Sequence, residues 1–268
     1  MKNNGHSQIL LRIEEALNAA ARSIFPLLVE TPRVDIKSGG DPVTECDRIA
    51  NRTLRDVLLQ EGEGWLSEEN IDDLSRLERD RVWIVDPIDG TREFISGIPE
   101  WCISVGYVEG GQAVAGGVCN PTTGEIFLGA VGAGVRLNGN SVCVSRRQCL
   151  PGALVLASRS EVGRGEWDSF KDAPFVTRPM GSVAYKLALV ASGRADATWT
   201  RCTKHEWDIA AGTALVEAAG GIVRNFDGSE IRFNNHLPLF SGLLACGPQL
   251  DLELNTWLRE RADIPQQS

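Results

Sequence analysis

The run VWIVDPIDGTREF, Val82 to Phe94, constrains this chain more than any other stretch, because it drives an apolar strand straight into two aspartates. A strand ending at Val85 delivers Asp86 to a sheet edge. Pro87 fixes the next backbone angle and Gly90 is free to take unusual dihedrals, so Asp89 returns on the same side of the turn. Two carboxylates converging in that way repel strongly unless a cation lies between them. The remaining donors narrow the choice of ion. Three histidines make a His-rich zinc site a poor fit, and the seven cysteines form no CxxC pair. Oxygen ligands of this kind favour Mg2+, which binds through a few carboxylates, waters and substrate phosphate oxygens. Phosphate chemistry is therefore the leading expectation. Gly90 and Thr91 open the segment before Phe94 and can turn free backbone N–H groups toward an anion, and Thr91 adds a hydroxyl.

At 268 residues the chain can bury a large core, as one domain or as two fused halves. A composition of 43% hydrophobic and 24% charged residues is that of a globular protein. The net charge of −9 disfavours a dedicated nucleic-acid or anionic-membrane binder, either of which needs a basic surface. The N-terminal MKNNGHSQILLRIEEALNAAARSIF lacks the basic-then-apolar order of a signal peptide. No stretch approaches the roughly 18 uninterrupted apolar residues of a membrane span. These features predict a soluble, cytoplasmic protein with no membrane partner, and the odd cysteine count suits reduced core thiols. The sequon at Asn51, Arg52 and Thr53 falls in a predicted helix and reads as accidental.

Ile9, Leu10, Ile13, Leu17, Ala20, Ile24 and Leu28 recur at helical spacing and predict an amphipathic helix over residues 7–30. A second, over about 44–61, turns Ile49, Leu54, Val57 and Leu58 inward, with the turn-rich loop KSGGDP between the two. From 82 to 144 short apolar runs alternate with turns, at 82–85, 102–108, 113–118, 125–130 and 135–137. Gly110 with Gly111 and Asn138 with Gly139 predict hairpin links, so this section should be largely antiparallel sheet. After about 150 the pattern is strand 153–158, helix 182–192, strand 195–199, helix 208–219, strands 221–224 and 242–246, and helix 248–260. That is α/β alternation. The change near residue 146 separates 1–146, an α+β half with most of the acidic candidates, from 147–268, an α/β half. With no repeat, low-complexity tract or long linker, the two should pack as one catalytic unit.

Four acidic stations fall at element ends: Asp47 in DPVTECD, Glu68 and Glu69 in LSEEN, Asp86 with Asp89, and Asp208 in EWDIAAG. Each has a structural reading of its own. Thr44 and Asp47 match a capping box and Asp208 can cap the helix it opens. DPIDG can be an ordinary turn, and Glu68 and Glu69 can be solvated charge. Only the combination points to a ligand set. Other phosphate-handling signatures are missing: there is no GxxxxGK[ST] and no GxGxxG after a strand. The DxDGT pattern of aspartyl-phosphate phosphatases is one residue shorter than DPIDGT, which favours a metal-activated water over a covalent aspartyl intermediate. No Ser, His and Asp line up as a triad. His205, beside Glu206 and Trp207, reads as a packing or surface hydrogen-bonding residue, and nothing marks Cys46 or Cys202 as an activated thiolate.

In this order, DPVTECD (41–47), SEE (67–69), DPIDGT (86–91), GSVAYKLALVASGRADA (181–197) and WDIAAGTALVEAAGG (207–221) resemble the inositol monophosphatase superfamily of Mg2+-dependent phosphomonoesterases. The resemblance covers most of the chain and implies a layered αβαβα sugar-phosphatase fold with its cleft between the halves. It implies Glu68, Asp86 and the Ile88 carbonyl as ligands of one metal, with Asp86 bridging to a second completed by Asp89 and Asp208, and two or three Mg2+ per site. Thr91, hydrogen-bonded to Asp47, would then orient and deprotonate the attacking water. The implied substrate, a small phosphorylated metabolite, would be lined by Asp89, Gly90, Thr91, Gly181, Ser182 and Val183. Ser182 can cap the helix through Tyr185 and Leu187 at the same time. Lithium sensitivity and a homodimer are further implications of the same resemblance.

Two departures bear on substrate. Ser67 stands where the family often has glycine before its acidic pair. Residues 197–205, ATWTRCTKH, contain no acid where the inositol-phosphate branch usually carries one, and supply Arg201 and Lys204 instead. DGTREF and KHEWD look like the 3'(2'),5'-bisphosphate nucleotidase branch, and a second substrate phosphate would value Arg201, Lys204 and Arg92. The expected reaction is hydrolysis of 3'-phosphoadenosine 5'-phosphate to AMP. GIPEW is similar to histidinol-phosphate phosphatases, so histidinol phosphate and inositol-1-phosphate are the alternatives. Some superfamily members act as regulatory partners of RNA or transcription machinery, and a binding role of that class is the contrasting reading.

Overall fold

The computed structural model describes residues 2–29, 34–36 and 40–260. Glu30, at the end of the first predicted helix, and Lys37, Ser38 and Gly39 of the KSGGDP loop lie outside them. The first amphipathic pattern becomes α1, Lys2–Ile24, which runs into a 3-10 turn over Phe25–Val29 and buries Ile13, Leu17, Ala20 and Ile24. Helix α2, Glu45–Leu58, begins with the reciprocal bonding its sequence suggests. The Thr44 hydroxyl accepts from the Asp47 N–H at 3.4 Å, and the Asp47 carboxylate accepts from the Thr44 N–H at 2.7 Å.

Both helices pack on one face of a seven-stranded sheet. Its strands follow chain order: Gly64–Ser67, Arg81–Asp89, Cys102–Glu109, Gln112–Asn120, Glu125–Ala130, Gly134–Leu137 and Asn140–Val142. The first pair is parallel and the rest are antiparallel, as the hairpin signals predict. Gly110, Gly111, Asn138 and Gly139 all have positive φ, the requirement of tight two-residue hairpin turns. The short helix α3, Thr91–Ile95, follows the second strand.

A second sheet has the spatial order Val176–Met180, Leu154–Ser158, Ala197–Thr200, Leu243–Cys246, Ile222–Asn225. Its first three strands are parallel and the last two join antiparallel. Helix α4, Arg159–Gly163, leaves the end of one of its strands. Between the two sheets lie α5, Val183–Ala191, and α6, Glu206–Ala218, and outside the second sheet lies α7, Asp251–Arg259, with Trp167, Phe170, Phe175 and Trp199. The result is the five-layered αβαβα arrangement.

The layers touch closely where glycine allows it. A Cβ on Gly106 would stand 2.7 Å from the Ala210 Cβ, and one on Gly116 2.5 Å from the Ala211 carbonyl oxygen, so α6 lies on bare sheet backbone. The two sheets fall on either side of residue 146, yet one apolar core containing Ile84, Val118, Leu187, Ala210 and Leu243 crosses that boundary. The strands Gly64–Ser67, Val176–Met180 and Asn140–Val142 go beyond the sequence pattern. They are short, and Gly64 and Pro179 interrupt the alternation that marks a strand. Among the described residues no helix is long and apolar enough to cross a membrane.

Candidate metal centre

The strand carrying DPID does not stop at Val85. It continues to Asp89, and its pairing slips between Asp86, opposite Ser104, and Asp89, opposite Cys102. This bulge absorbs Pro87 and Ile88 and re-aims the two carboxylates. Asp86 Oδ1 accepts from the Ile88 N–H at 3.0 Å, tying the bulge down. Gly90, at φ 98°, turns the chain into α3, and a Cβ there would stand 3.0 Å from the Glu100 carbonyl oxygen, so conformation and space both require glycine.

Asp86, Asp89 and Asp208 each bring one carboxylate oxygen to within 4.8 Å of the others. Asp86 and Asp89 are buried and Asp208 is half-buried. Asp208 sits in the first turn of α6, where its Oδ2 accepts from the His205 N–H at 2.8 Å. Asp89 Oδ2 accepts from the Ser182 hydroxyl at 2.7 Å and the Ala184 N–H at 2.6 Å. Ser182 also caps α5, its oxygen accepting from the Tyr185 N–H at 3.0 Å, so capping and contact with the centre coexist. Glu68 leaves the Gly64–Ser67 strand with its N–H donating to the Val85 carbonyl at 3.4 Å. The Thr91 hydroxyl stands 3.5 Å from Asp47 Oδ1 and 3.0 Å from the Ile88 carbonyl oxygen, while Asp47 Oδ2 accepts from the Thr44 hydroxyl at 2.5 Å.

Burial and like charge act together on these groups. Burial holds Asp86 well above the usual carboxylate range, with Glu68, Asp89, Asp208 and Asp47 pushing the same way. Asp208 is raised to about 8 by burial and then by Asp89 and Glu68. Burial raises Asp89 as well, against the lowering effect of its bonds from Ser182 and Ala184 and of the Lys186 charge. Lys186 is buried, its ammonium donates to the Met180 carbonyl at 3.4 Å, and burial lowers its pKa. A set of hard oxygen donors that repel one another when ionised matches a divalent cation.

The other expected contacts divide. The Gly181 N–H is already taken by Glu100 Oε2, at 2.9 Å, and Val183 is half-buried in the first turn of α5. The Lys204 ammonium lies 3.7 Å from Glu161 Oε1, and its charge lowers the pKa of Asp208. The Arg201 guanidinium lies over the Phe170 and Phe226 rings, at 5.7 and 5.1 Å from their centroids, so its contacts are with the aromatic layer of the second sheet. Arg92 is exposed and pairs with Asp41 at 3.1 Å. His205 stacks on Trp207 with ring centroids 4.3 Å apart, the packing role its neighbours suggest. A second acidic group, Glu161, Glu166 and Cys202, also gathers within 4.8 Å, but Trp167 and Arg164 already donate to its carboxylates and burial raises the Cys202 thiol. A hollow of about 940 Å3 beside α1, around Arg12, Glu63 and Tyr107, shares no residue with the aspartate centre. Glu100, Arg159 and Lys186 escape sequence reading because they sit outside the acidic motifs and their partners are distant in the chain.

The sequence model of the inositol monophosphatase family matches residues 9–261. An inositol-1-monophosphatase of Rhizobium meliloti (strain 1021) is 33% identical over 228 residues, 82% of this chain and 83% of the relative. Among solved structures, the extragenic suppressor protein suhB of Bartonella henselae has a TM-score of 0.81 at 28% identity, covering 94% of this chain and 99% of that one. CysQ of Bacteroides thetaiotaomicron, a bacterial member of the inositol monophosphatase family, has a TM-score of 0.77 at 25% identity, covering 90% of this chain and 97% of its own.

Proposed function

The chain belongs to the inositol monophosphatase family of phosphatases, and on that premise we propose that it hydrolyses a small phosphate monoester with Mg2+ held by Glu68, Asp86, Asp89, Asp208 and the Ile88 carbonyl. The observation that carries this reading is the approach of Asp86, Asp89 and Asp208 to within 4.8 Å, beside Thr91 and Asp47. Bound Mg2+ would polarise the phosphoryl group and lower the pKa of water at the site. The protein's part is positioning. Asp47 is held by the Thr44 hydroxyl and N–H through one oxygen and faces Thr91 with the other. When the Thr91 hydroxyl donates to Asp47, its lone pairs are left to accept from a water, so a proton leaving that water passes to Thr91 Oγ1 as the Thr91 proton passes to Asp47. The first N–H groups of α3, at Thr91 and Arg92, lack intrahelical partners and can face the phosphate.

The finer reading is a 3'(2'),5'-bisphosphate nucleotide substrate. It is supported by Lys204 beside the centre and by the acid-free segment 197–205. Inositol-1-phosphate is the second reading, supported by the 33% identical inositol-1-monophosphatase. Phosphate release from 3'-phosphoadenosine 5'-phosphate, inositol-1-phosphate and histidinol phosphate, with and without Mg2+, tests both. The expected result is Mg2+-dependent, lithium-inhibited release with the highest kcat/KM on the bisphosphate. A higher kcat/KM on inositol-1-phosphate moves the assignment to the second reading, and no release from any of the three contradicts the proposal. Sedimentation in the same buffer tests the homodimer. A cytoplasmic setting suits the seven free cysteines.

A further inference from the structure

We propose that Glu100 and Arg159 form a positioning pair that sets the Gly181–Ser182 turn and, through it, aims Asp89 at the metal centre; the inference rests on the metal-centre reading above. Glu100 lies in the loop between α3 and the Cys102–Glu109 strand, beside Gly90. Its carbonyl oxygen occupies the space that a Cβ on Gly90 would need. Its carboxylate reaches the other way, accepting from the Gly181 N–H at 2.9 Å and from Arg159 Nη2 at 2.5 Å. Arg159, at the start of α4, also brings Nε to 3.8 Å from Glu93 Oε1 of α3. Glu93 in turn packs where a Cβ on Gly181 would stand, at 2.4 Å.

The next residue, Ser182, is held at φ 55°, a conformation that a serine keeps only when its surroundings fix it. From that position its hydroxyl and the Ala184 N–H both donate to Asp89 Oδ2. Glu100 therefore acts on Asp89 through the turn, and it lies against both Gly90 and Gly181. Arg159 supplies the opposite charge that keeps the Glu100 carboxylate in place.

The test compares Glu100→Ala, Glu100→Gln and Arg159→Ala with the parent chain by three measurements. Hydrogen exchange on metal-free protein should show amides 181–184 exchanging at least about tenfold faster in Glu100→Ala. Calorimetric Mg2+ titration should show a loss of affinity of about 10- to 100-fold. The steady-state effect should fall on KM and metal requirement more than on kcat. Glu100→Gln, which keeps an oxygen for Gly181, should recover most of the exchange protection and affinity, and Arg159→Ala should fall between the two. Unchanged exchange at 181–184 in Glu100→Ala overturns the proposal whether or not the protein hydrolyses a phosphate ester. Equal losses in Glu100→Ala and Glu100→Gln, matched by a fall in Tm, also overturn it, because that is general destabilisation. A parent chain that binds no Mg2+ contradicts the metal-centre reading instead, and the exchange result still decides the role of Glu100 in the turn.

Discussion

Asp86 is 1% exposed and faces Glu68, Asp89, Asp208 and Asp47, so its ionised form is costly in the metal-free protein. Replacing it with asparagine removes that charge at nearly constant shape. Asp86→Asn should lose at least about a hundredfold in kcat/KM, while its Tm in metal-free buffer stays level or rises. A fall in metal-free Tm would mean that the carboxylate serves the turn. Asp89→Asn should stabilise less, because Asp89 also satisfies donors on Ser182 and Ala184. The pH dependence has a definite sign. Asp86, Asp89 and Asp208 all bind protons more readily folded than unfolded, so their contribution to stability is lost as pH rises from the unfolded carboxylate range near about 4 through about 8 for Asp208. Thermal melts of metal-free protein should therefore show Tm falling between about pH 6 and pH 8, and saturating Mg2+ should flatten that slope.

Elements place these residues, and here sequence and structure part company in instructive ways. The convergence of Asp86 and Asp89 is legible in DPIDGT, but the turn expected after Val85 is a bulge inside a longer strand. Pro87 signals an interruption without saying whether the strand resumes, and pairing with Cys102 decides it. Thr44 and Asp47 are legible as a capping box, and the structure shows that the same carboxylate serves Thr91. Thr44→Ala should cost about 1 kcal/mol of stability and also lower kcat, because Asp47 loses the hydroxyl donor that orients it. Denaturant melts with steady-state kinetics would separate the two effects. Helix α6 carries Asp208 on a backbone laid directly over Gly106 and Gly116, a closeness that no local pattern announces. Gly116→Ala should destabilise by about 1–3 kcal/mol and weaken Mg2+ binding, since the helix must shift to admit the methyl group. Unchanged Mg2+ affinity in a folded Gly116→Ala protein would separate Asp208 from that packing.

At the scale of the molecule, the candidate centre is assembled from segments around residues 47, 68, 86–91, 182–184 and 208, which lie on or beside the seven-stranded sheet and at the starts of helices α2, α3, α5 and α6, on both sides of residue 146. The order of four of them along the chain is readable because residues 47, 68, 86–89 and 208 place acidic motifs at element ends, whereas 182–184 carries no acid. The links that hold them together, such as Glu100 to Gly181 and Arg159, are single polar contacts between distant residues, and periodicity carries no trace of them. Arg201 illustrates the same limit: its charge and neighbours suggest a phosphate ligand, whereas its contacts are the Phe170 and Phe226 rings. The most direct test of the whole arrangement is an anomalous difference map from a crystal soaked in Mn2+ as a surrogate for Mg2+. The account predicts density enclosed by Asp86, Asp89 and Asp208, with a further peak beside Glu68 and the Ile88 carbonyl. Those carboxylates turned apart, with no peak among them, would contradict it.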